Sequence, residues 1–441
     1  MKNRKMMLFG FISAVSVSVA LSTSLLAKSE VSQTQASPST EESRLQSLAK
    51  FTKVLSIVEQ YNVDNLTIDQ LIDKALQGLL SNLDAHSTYL DKKSYDNLKT
   101  QTDGEFGGLG ITVGMRDNAL TVISPIEGTP ADKAGMKAGD IILKINEQST
   151  LSMTIDDAVG LMRGAPKTPI DLTVVRKGAA DPLKFHIIRD IITVQSVYTR
   201  TIDGNIVYIR VTNFDKKVAA DVKAAIKKHA SKSKGIILDL RNNPGGLLDQ
   251  AVELTDLFVN EGVIVSQKGR NKEDDVSYSA TKSATITDLP LVVLVNEGSA
   301  SASEIVSGAL QDLKRGVIVG ERTFGKGSVQ VVMPINDTEA IKLTVARYYL
   351  PSGRTIQAVG VSPDIEVASG EIKNNDKQFN IKEADLKKHL ESELDKTEGM
   401  VDVTETNTTN KTTITTEQLN KDIQLKEGVD IIKALIIVKG K

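Results

Sequence analysis

LVVLVNEGSASASEIVSGALQDLKRGVIVGERTFGKGSVQ, residues Leu291 to Gln330, decides how the rest of the chain is read. Leu291 to Val295 are five consecutive apolar residues, the pattern of a strand buried on both faces. Asn296, Glu297 and Gly298 follow, then the small residues Ser299 to Ser303. After them Ile305, Val306, Ala309 and Leu310 recur at helical spacing. The stretch therefore predicts a strand, a tight turn and a helix. A hydroxyl in such a turn sits beside unpaired backbone N–H groups and the positive end of the helix dipole, where an oxyanion is stabilised. Ser299, Ser301 and Ser303 all compete for that role, although serines at helix starts are usually only caps.

The second half of the stretch adds chemistry. Val317, Ile318 and Val319 read as another buried strand, followed by the loop Gly320 to Ser328 with Lys326 between two glycines. Glycines on either side let the lysine's backbone approach another segment closely. A serine that attacks a carbonyl needs a base to take its proton. The chain has no cysteine, and its four histidines, His86, His186, His229 and His389, are all remote in sequence from the serines and outside any glycine-rich turn. His186 lies in a strand-like segment and His229 in a lysine-rich helix, both places for structural or surface residues. A buried lysine loses its proton more readily because desolvation disfavours the ammonium, and it then serves as a base near neutral pH. A Ser–Lys dyad is what this inventory permits.

GSASASEI, ERTFGKGSVQ and RYYLPSGRTIQAVGVSPDI (Arg347 to Ile365) together resemble the carboxyl-terminal processing proteases, PDZ-containing Ser–Lys peptidases of the S41 type. The resemblance covers roughly Leu55 to Val367. It implies Ser301 as nucleophile, Lys326 as general base and Gln330, four residues further on, as the polar residue that orients the lysine. It also implies an oxyanion hole. Gly235 to Leu240 reads as a buried strand and Asn242-Asn243-Pro244-Gly245-Gly246 as a glycine turn into a second helix. The family motif there sets the Gly246 N–H, in preference to that of its neighbour Gly245, beside the Ala302 N–H; the simpler alternative is a tight turn and nothing more.

Composition frames these assignments. A chain of 441 residues exceeds one domain, and a formal net charge of −2 gives no sign of a polyanion partner, so nucleic acid is not expected. Without cysteine there is no thiol chemistry and no disulfide. Lys2, Arg4 and Lys5 precede an apolar stretch from Leu8 to Ala27, the pattern of an export signal, with cleavage the first expectation and a retained membrane anchor the second. The expected location is periplasmic or in the cell envelope. Glu30 to Glu42 reads as a flexible linker, and Leu45 to about Leu98 as helical, with Leu48, Phe51, Val54, Leu55 and Val58 on one face. Family members usually have proline before the histidine of Asp84-Ala85-His86-Ser87; here it is Ala85, and His86 is read as a structural turn residue.

The segment from Gly104 to Ile111 and the run AGMKAGDII (Ala134 to Ile142) look like a PDZ domain. Backbone N–H groups of Gly108, Leu109, Gly110 and Ile111 are suited to hold a terminal carboxylate while a peptide pairs along the sheet edge. Arg163, in Leu161-Met162-Arg163-Gly164, falls where the resemblance implies an arginine that senses the bound state and contacts the core; alternatively it is a surface residue at a helix end.

The expected fold class is α+β multidomain: a β-sandwich-like PDZ domain inserted between an N-terminal helical region and an α/β protease core of the ββα-spiral, crotonase-like type. The boundaries are 1–27 signal or anchor, 28–43 linker, 44–102 helical region, 103–189 PDZ domain, 190–368 protease core and 369–441 a polar, partly helical tail. The tail is expected to carry helices at Lys382 to Leu394 and Gln418 to Val438, with a flexible interval near Thr404 to Thr416. The function this implies is an exported serine endopeptidase that recognises protein C-termini and cuts near them through an acyl-enzyme, with no metal or cofactor. Its expected partners are proteins or peptides with exposed C-termini and a second copy through the N- and C-terminal helices, with an activating adaptor left open. The alternative is a catalytically silent PDZ scaffold that binds C-terminal tails.

Overall fold

The computed structural model describes residues 38–203, 205–371 and 412–439. The export-signal segment, the helix expected at Lys382 to Leu394, His389 and most of the expected linker lie outside the described residues. Among the described residues, no helix is long and apolar enough to cross a membrane. The chain divides into two compact units, up to Leu79 and from Leu80 onward.

In the first unit, α1 (Pro38–Tyr61) is followed by α2 (Ile68–Ser81), whose last residues belong to the second unit. Leu55 and Leu71 are buried, while Leu48, Phe51 and Val54 of the apolar α1 face are exposed. Helix α1 begins at Pro38, inside the expected linker. Proline fits there because the first helical turn requires no N–H from it.

The second unit opens with a correction to the helical expectation, since β1 (Thr88–Leu90) interrupts it before α3 (Lys92–Asp103). The Asp84 carboxylate accepts the N–H groups of His86 and Ser87. That closes a turn no helix would tolerate, and it delivers Thr88, Tyr89 and Leu90 into pairing with Lys342, Ile341 and Ala340. Next come β2 (Glu105–Gly108), β3 (Ile111–Arg116), β4 (Ala119–Pro125), α4 (Pro130–Lys133), β5 (Ile141–Ile145), β6 (Gln148–Ser149), α5 (Ile155–Met162), β7 (Pro169–Val175) and β8 (Leu183–Ile188). Strands β3, β4, β5, β7 and β8 form one antiparallel sheet in that order, closed over Val122, Ile142, Ile145, Leu172 and Val174. Then β9 (Asp190–Thr193) returns to pair with β2, tying the two ends of this region together.

The remainder is built from β10 (Val197–Ile202), β11 (Ile206–Val211), α6 (Val218–His229), β12 (Gly235–Asp239), α7 (Leu248–Asp256), β13 (Val263–Lys268), β14 (Val276–Ser279), β15 (Leu291–Val295), α8 (Ala302–Asp312), β16 (Val317–Gly320), β17 (Ser328–Pro334), β18 (Ala340–Tyr349), β19 (Ile365–Glu366), α9 (Thr416–Asn420) and α10 (Ile423–Lys439). Its main sheet runs β10-β11-β12-β15-β16-β19, parallel from β11 to β19. Leu291, Val293 and Val295 pack with the helices α6, α7 and α8, whereas Val292 and Leu294 pack with Leu425, Val429 and Ile432 of α10. Two helical layers explain why β15 is apolar at every position. The C-terminal segment is a layer of this core. Burying Leu425, Val429 and Ile432 contributes about 1.5–3 kcal/mol each. The interval expected to be flexible also ends in order, with Ile414 buried and its N–H donated to the Thr201 carbonyl at 2.9 Å.

A second sheet runs β1-β18-β13-β14, with β17 also on β18. It follows directly from the Lys326 loop and brings the turn at Asp84 to that loop's side of the molecule.

Candidate active site

Three serines crowd the turn after β15, and their hydrogen bonds separate them. Ser299 Oγ accepts the Asn296 N–H at 3.0 Å and donates to the Leu240 carbonyl at 2.8 Å. Ser303 Oγ donates to the Asn243 carbonyl at 2.9 Å. Both hydroxyl protons are committed to fastening this turn onto the end of β12. Ser301 Oγ donates no hydrogen bond among the described residues. Its backbone is held at φ 53° and ψ −110°, a region that costs a non-glycine residue about 1–3 kcal/mol. That conformation sets the residue at the mouth of α8, where the Ala302 N–H has no acceptor among the described residues.

Glu304 holds this strained turn in place, and sequence reading missed it. Its fully buried carboxylate accepts the Ser301 N–H at 2.8 Å from its own helix. From the loop after β16 it accepts the Thr323 hydroxyl at 2.5 Å, the Gly325 N–H at 2.7 Å and the Lys326 N–H at 2.8 Å. Phe324 adds a backbone bond to the Ser299 carbonyl at 3.0 Å. One carboxylate thus joins the serine turn to the lysine loop. The only sequence signal for it was an acidic residue three places after Ser301, which reads as an ordinary capping box.

Glycines on either side of Lys326 allow the close approach. Gly325 sits at φ 93°, and a Cβ on Gly327 would come within 2.5 Å of the Gln357 backbone nitrogen. The Lys326 amine is half-buried, and burial pushes its pKa below that of an ordinary lysine. The charge of Lys342 acts in the same direction, and Glu304 opposes both. Gln330 donates from Nε2 to Ser328 Oγ at 2.9 Å and to Thr344 Oγ1 at 3.2 Å. His86 lies within electrostatic reach: burial lowers its pKa, Lys326 and Lys342 lower it further, and Asp84 raises it. Two other histidines stand apart, His186 in an exposed pair with Asp171 and His229 at the end of α6.

The glycine turn after β12 lies against the serine turn. A Cβ on Gly245 would meet the Ala300 carbonyl oxygen at 2.8 Å and the Ala302 nitrogen at 3.0 Å. The Gly245 N–H is already bonded to Asn243 Oδ1 at 2.9 Å, whereas the Gly246 N–H has no acceptor among the described residues. Gly246 adopts φ 145°, and its carbon is pressed against the Phe214 carbonyl, which an added Cβ would reach at 2.3 Å. At the head of this turn Arg241 bridges the buried Asp239 and, through both terminal nitrogens, Asp422 at 2.8 Å, so the C-terminal segment also braces it.

In the glycine-rich region, the Leu109 and Gly110 carbonyls accept the N–H groups of Ala131 and Ile126, while their own N–H groups make no bond among the described residues. Gly108 ends β2 and Ile111 opens β3. Arg163 is the residue that ends α5. Its Nη1 donates to Asn97 Oδ1 of α3 at 3.1 Å, its guanidinium lies 4.7 Å from the centre of the Phe106 ring, and its buried Nε has no partner among the described residues. These side-chain partners lie on α3 and β2. The far end of α3 is bonded to the loop after β11, through Lys216 N–H to the Thr102 carbonyl and Asn213 Nδ2 to the Gln101 carbonyl, both at 3.0 Å. That loop contains Phe214.

A family model described as peptidase family S41 matches residues 205–367, one described as a PDZ domain matches 121–176, and one described as the N-terminal domain of the activating protease CtpB matches 11–94. Over 332 residues the chain is 46% identical to a carboxy-terminal-processing protease of Bartonella bacilliformis, covering 74% of this chain and 76% of that one. It is 36% identical over 323 residues to the carboxy-terminal processing protease CtpA of Bacillus subtilis, covering 72% and 69%. Among solved structures, a photosystem II D1 C-terminal processing protease aligns at 28% identity with a TM-score of 0.42, covering 72% of this chain and 92% of that one.

Proposed function

Because the chain belongs to the carboxy-terminal-processing proteases, serine-type peptidases of family S41, we propose that it cuts proteins near their C-termini with a Ser301–Lys326 dyad. One observation carries this assignment: the Glu304 carboxylate binds the N–H groups of Ser301 and Lys326 together, next to the one turn serine whose proton is uncommitted. The neutral Lys326 amine takes that proton as Ser301 Oγ attacks the scissile carbonyl. The N–H groups of Gly246 and Ala302 receive the oxyanion. Lys326 passes its proton to the leaving amine, and water, deprotonated in turn by Lys326, hydrolyses the acyl-enzyme. Gln330 positions the lysine.

The substrate's terminal carboxylate docks at the N–H groups of Leu109 and Gly110, with Gly108 and Ile111 at the flanking strand ends. Arg163 reports that docking through Asn97 and α3 to the loop holding Phe214, against which Gly246 is seated. The domain order in this reading is an N-terminal helical region, a PDZ domain and a crotonase-like protease core. Exposed Leu48, Phe51 and Val54 on α1 support a second copy as partner, and the basic and apolar N-terminal residues support export to the cell envelope.

Cleavage of a peptide with an apolar C-terminus, followed by mass spectrometry, tests the dyad. Ser301→Ala and Lys326→Ala are each expected to lower kcat by about 10⁴-fold or more with the fold intact, and only the parent should yield an acyl-enzyme on acid quench. Near-normal turnover by Lys326→Ala would remove the lysine from the mechanism.

A further inference from the structure

Between Asp84 and Gln330 runs a chain of hydrogen bonds whose direction is fixed by chemistry. Asp84 is acceptor-only: hydrogen bonds from the Ser87 hydroxyl and the His86 and Ser87 N–H groups outweigh its partial burial and hold its pKa at about 2. Thr344 Oγ1 lies 3.0 Å from Asp84 Oδ1, so its single proton must go there. A hydroxyl that has spent its proton can only accept from its other neighbour. Gln330, 3.2 Å away, must therefore present its NH2. The second hydrogen of that NH2 goes to Ser328 Oγ at 2.9 Å, and the carbonyl oxygen is the one polar end of the side chain left over.

The strand register was adjusted to make this chain. Ser328 faces Arg347 and Val329 faces Ala346, so an unbroken ladder would set Gln330 opposite Val345, which has no hydroxyl. An irregularity after Val329 sets it opposite Thr344 instead, as bulges near active sites commonly re-aim a side chain. The Asp84 turn is fastened to the same place, with Thr344 N–H donated to Ser87 Oγ at 3.1 Å and Thr88 paired with Lys342.

Resting on the Ser–Lys reading above, we propose that Asp84 acts through the Thr344 hydroxyl as a positioning residue for the dyad, holding the Gln330 amide with its NH2 turned to Thr344 and its carbonyl oxygen presented to the Lys326 amine. The orientation matters because the base works through its lone pair. A carbonyl accepts one amine N–H and leaves the lone pair for the Ser301 proton. A flipped amide would donate its own N–H to that lone pair and compete with the serine.

Thr344→Val in the full-length chain keeps shape and strand preference but removes the hydroxyl. It is expected to lower kcat on the apolar-tailed peptide by about 10- to 100-fold, with KM within twofold, and Thr344→Ser is expected to keep at least half of kcat. Added to Gln330→Ala, Thr344→Val should cost nothing more, because the relay ends at Gln330; Thr344→Ala serves the same cycle should valine disturb the fold. Losses that multiply in the double variant, or Thr344→Val with kcat within twofold of the parent, overturn the relay. Lys326→Ala separates the levels. If it stays active, the dyad and the relay fall together; if it is dead while Thr344→Val is unimpaired, the relay alone falls.

Discussion

Two turns leave neighbouring parallel strands, one after β12 and one after β15, and each opens a helix with an N–H that has no acceptor among the described residues. In the first, the positive φ angles of 104° and 145° fall on Gly245 and Gly246, which adopt them without a Cβ penalty. In the second, the φ of 53° falls on Ser301, the proposed nucleophile. A backbone donor can be supplied by glycine alone, whereas a nucleophile has to be forced into position by something outside its own turn. The outside agent is Glu304, whose four hydrogen bonds reach both the serine turn and the lysine loop. The glycine turn is instead held through its backbone, with the Phe214 N–H donated to the Gly245 carbonyl at 2.9 Å and the Ala300 N–H to the Asn243 carbonyl at 2.9 Å, and with Gly246 pressed against the Phe214 carbonyl.

The sharpest way to break this contrast is Glu304→Ala. Three N–H groups and one hydroxyl lose a buried acceptor, so stability should fall by about 3–5 kcal/mol and activity should disappear; urea unfolding beside peptide cleavage measures both. A loss below about 1 kcal/mol would mean that the strained turn supports itself. Gly246→Ala comes next. Its Cβ has no room beside the Phe214 carbonyl, and displacing the donor should cost about 10²-fold in kcat, with a smaller stability loss than Glu304→Ala. The reverse ranking in stability would mean that backbone bonds and close packing seat a turn more firmly than the carboxylate does.

The smallest effect belongs to Lys342→Ala, which touches only the serine side of the comparison. As the proposed base Lys326 must be neutral to act, so kcat should rise with pH through a limb lying below the pKa of an ordinary lysine. Removing the Lys342 charge relieves repulsion on the protonated form and raises the Lys326 pKa. The limb should therefore move to more alkaline pH. A limb that stays put or moves toward acid would show that Lys342 does not act on the base.

Sequence alone was enough for the strands with continuous apolar runs, for the strand-turn-helix around Ser301, and for the family, because those signals are local and each residue's neighbours along the chain carry them. Leu291 to Val295 announced a strand covered on both faces, but not that one cover would be α10, more than a hundred residues downstream in a tail that reads as polar. The turn at Asp84 looked like the end of a helical region; only pairing with β18 made it a strand. Glu304 drew no reading from the sequence, because its role appears only when folding brings the 323–326 loop to its other side. Thr344 had no signal at all, since its part depends on a register irregularity between two strands. Hydrogen bonds between segments distant in sequence leave no periodicity to read, and the orientation of an amide is decided by the partners that only the tertiary structure assembles.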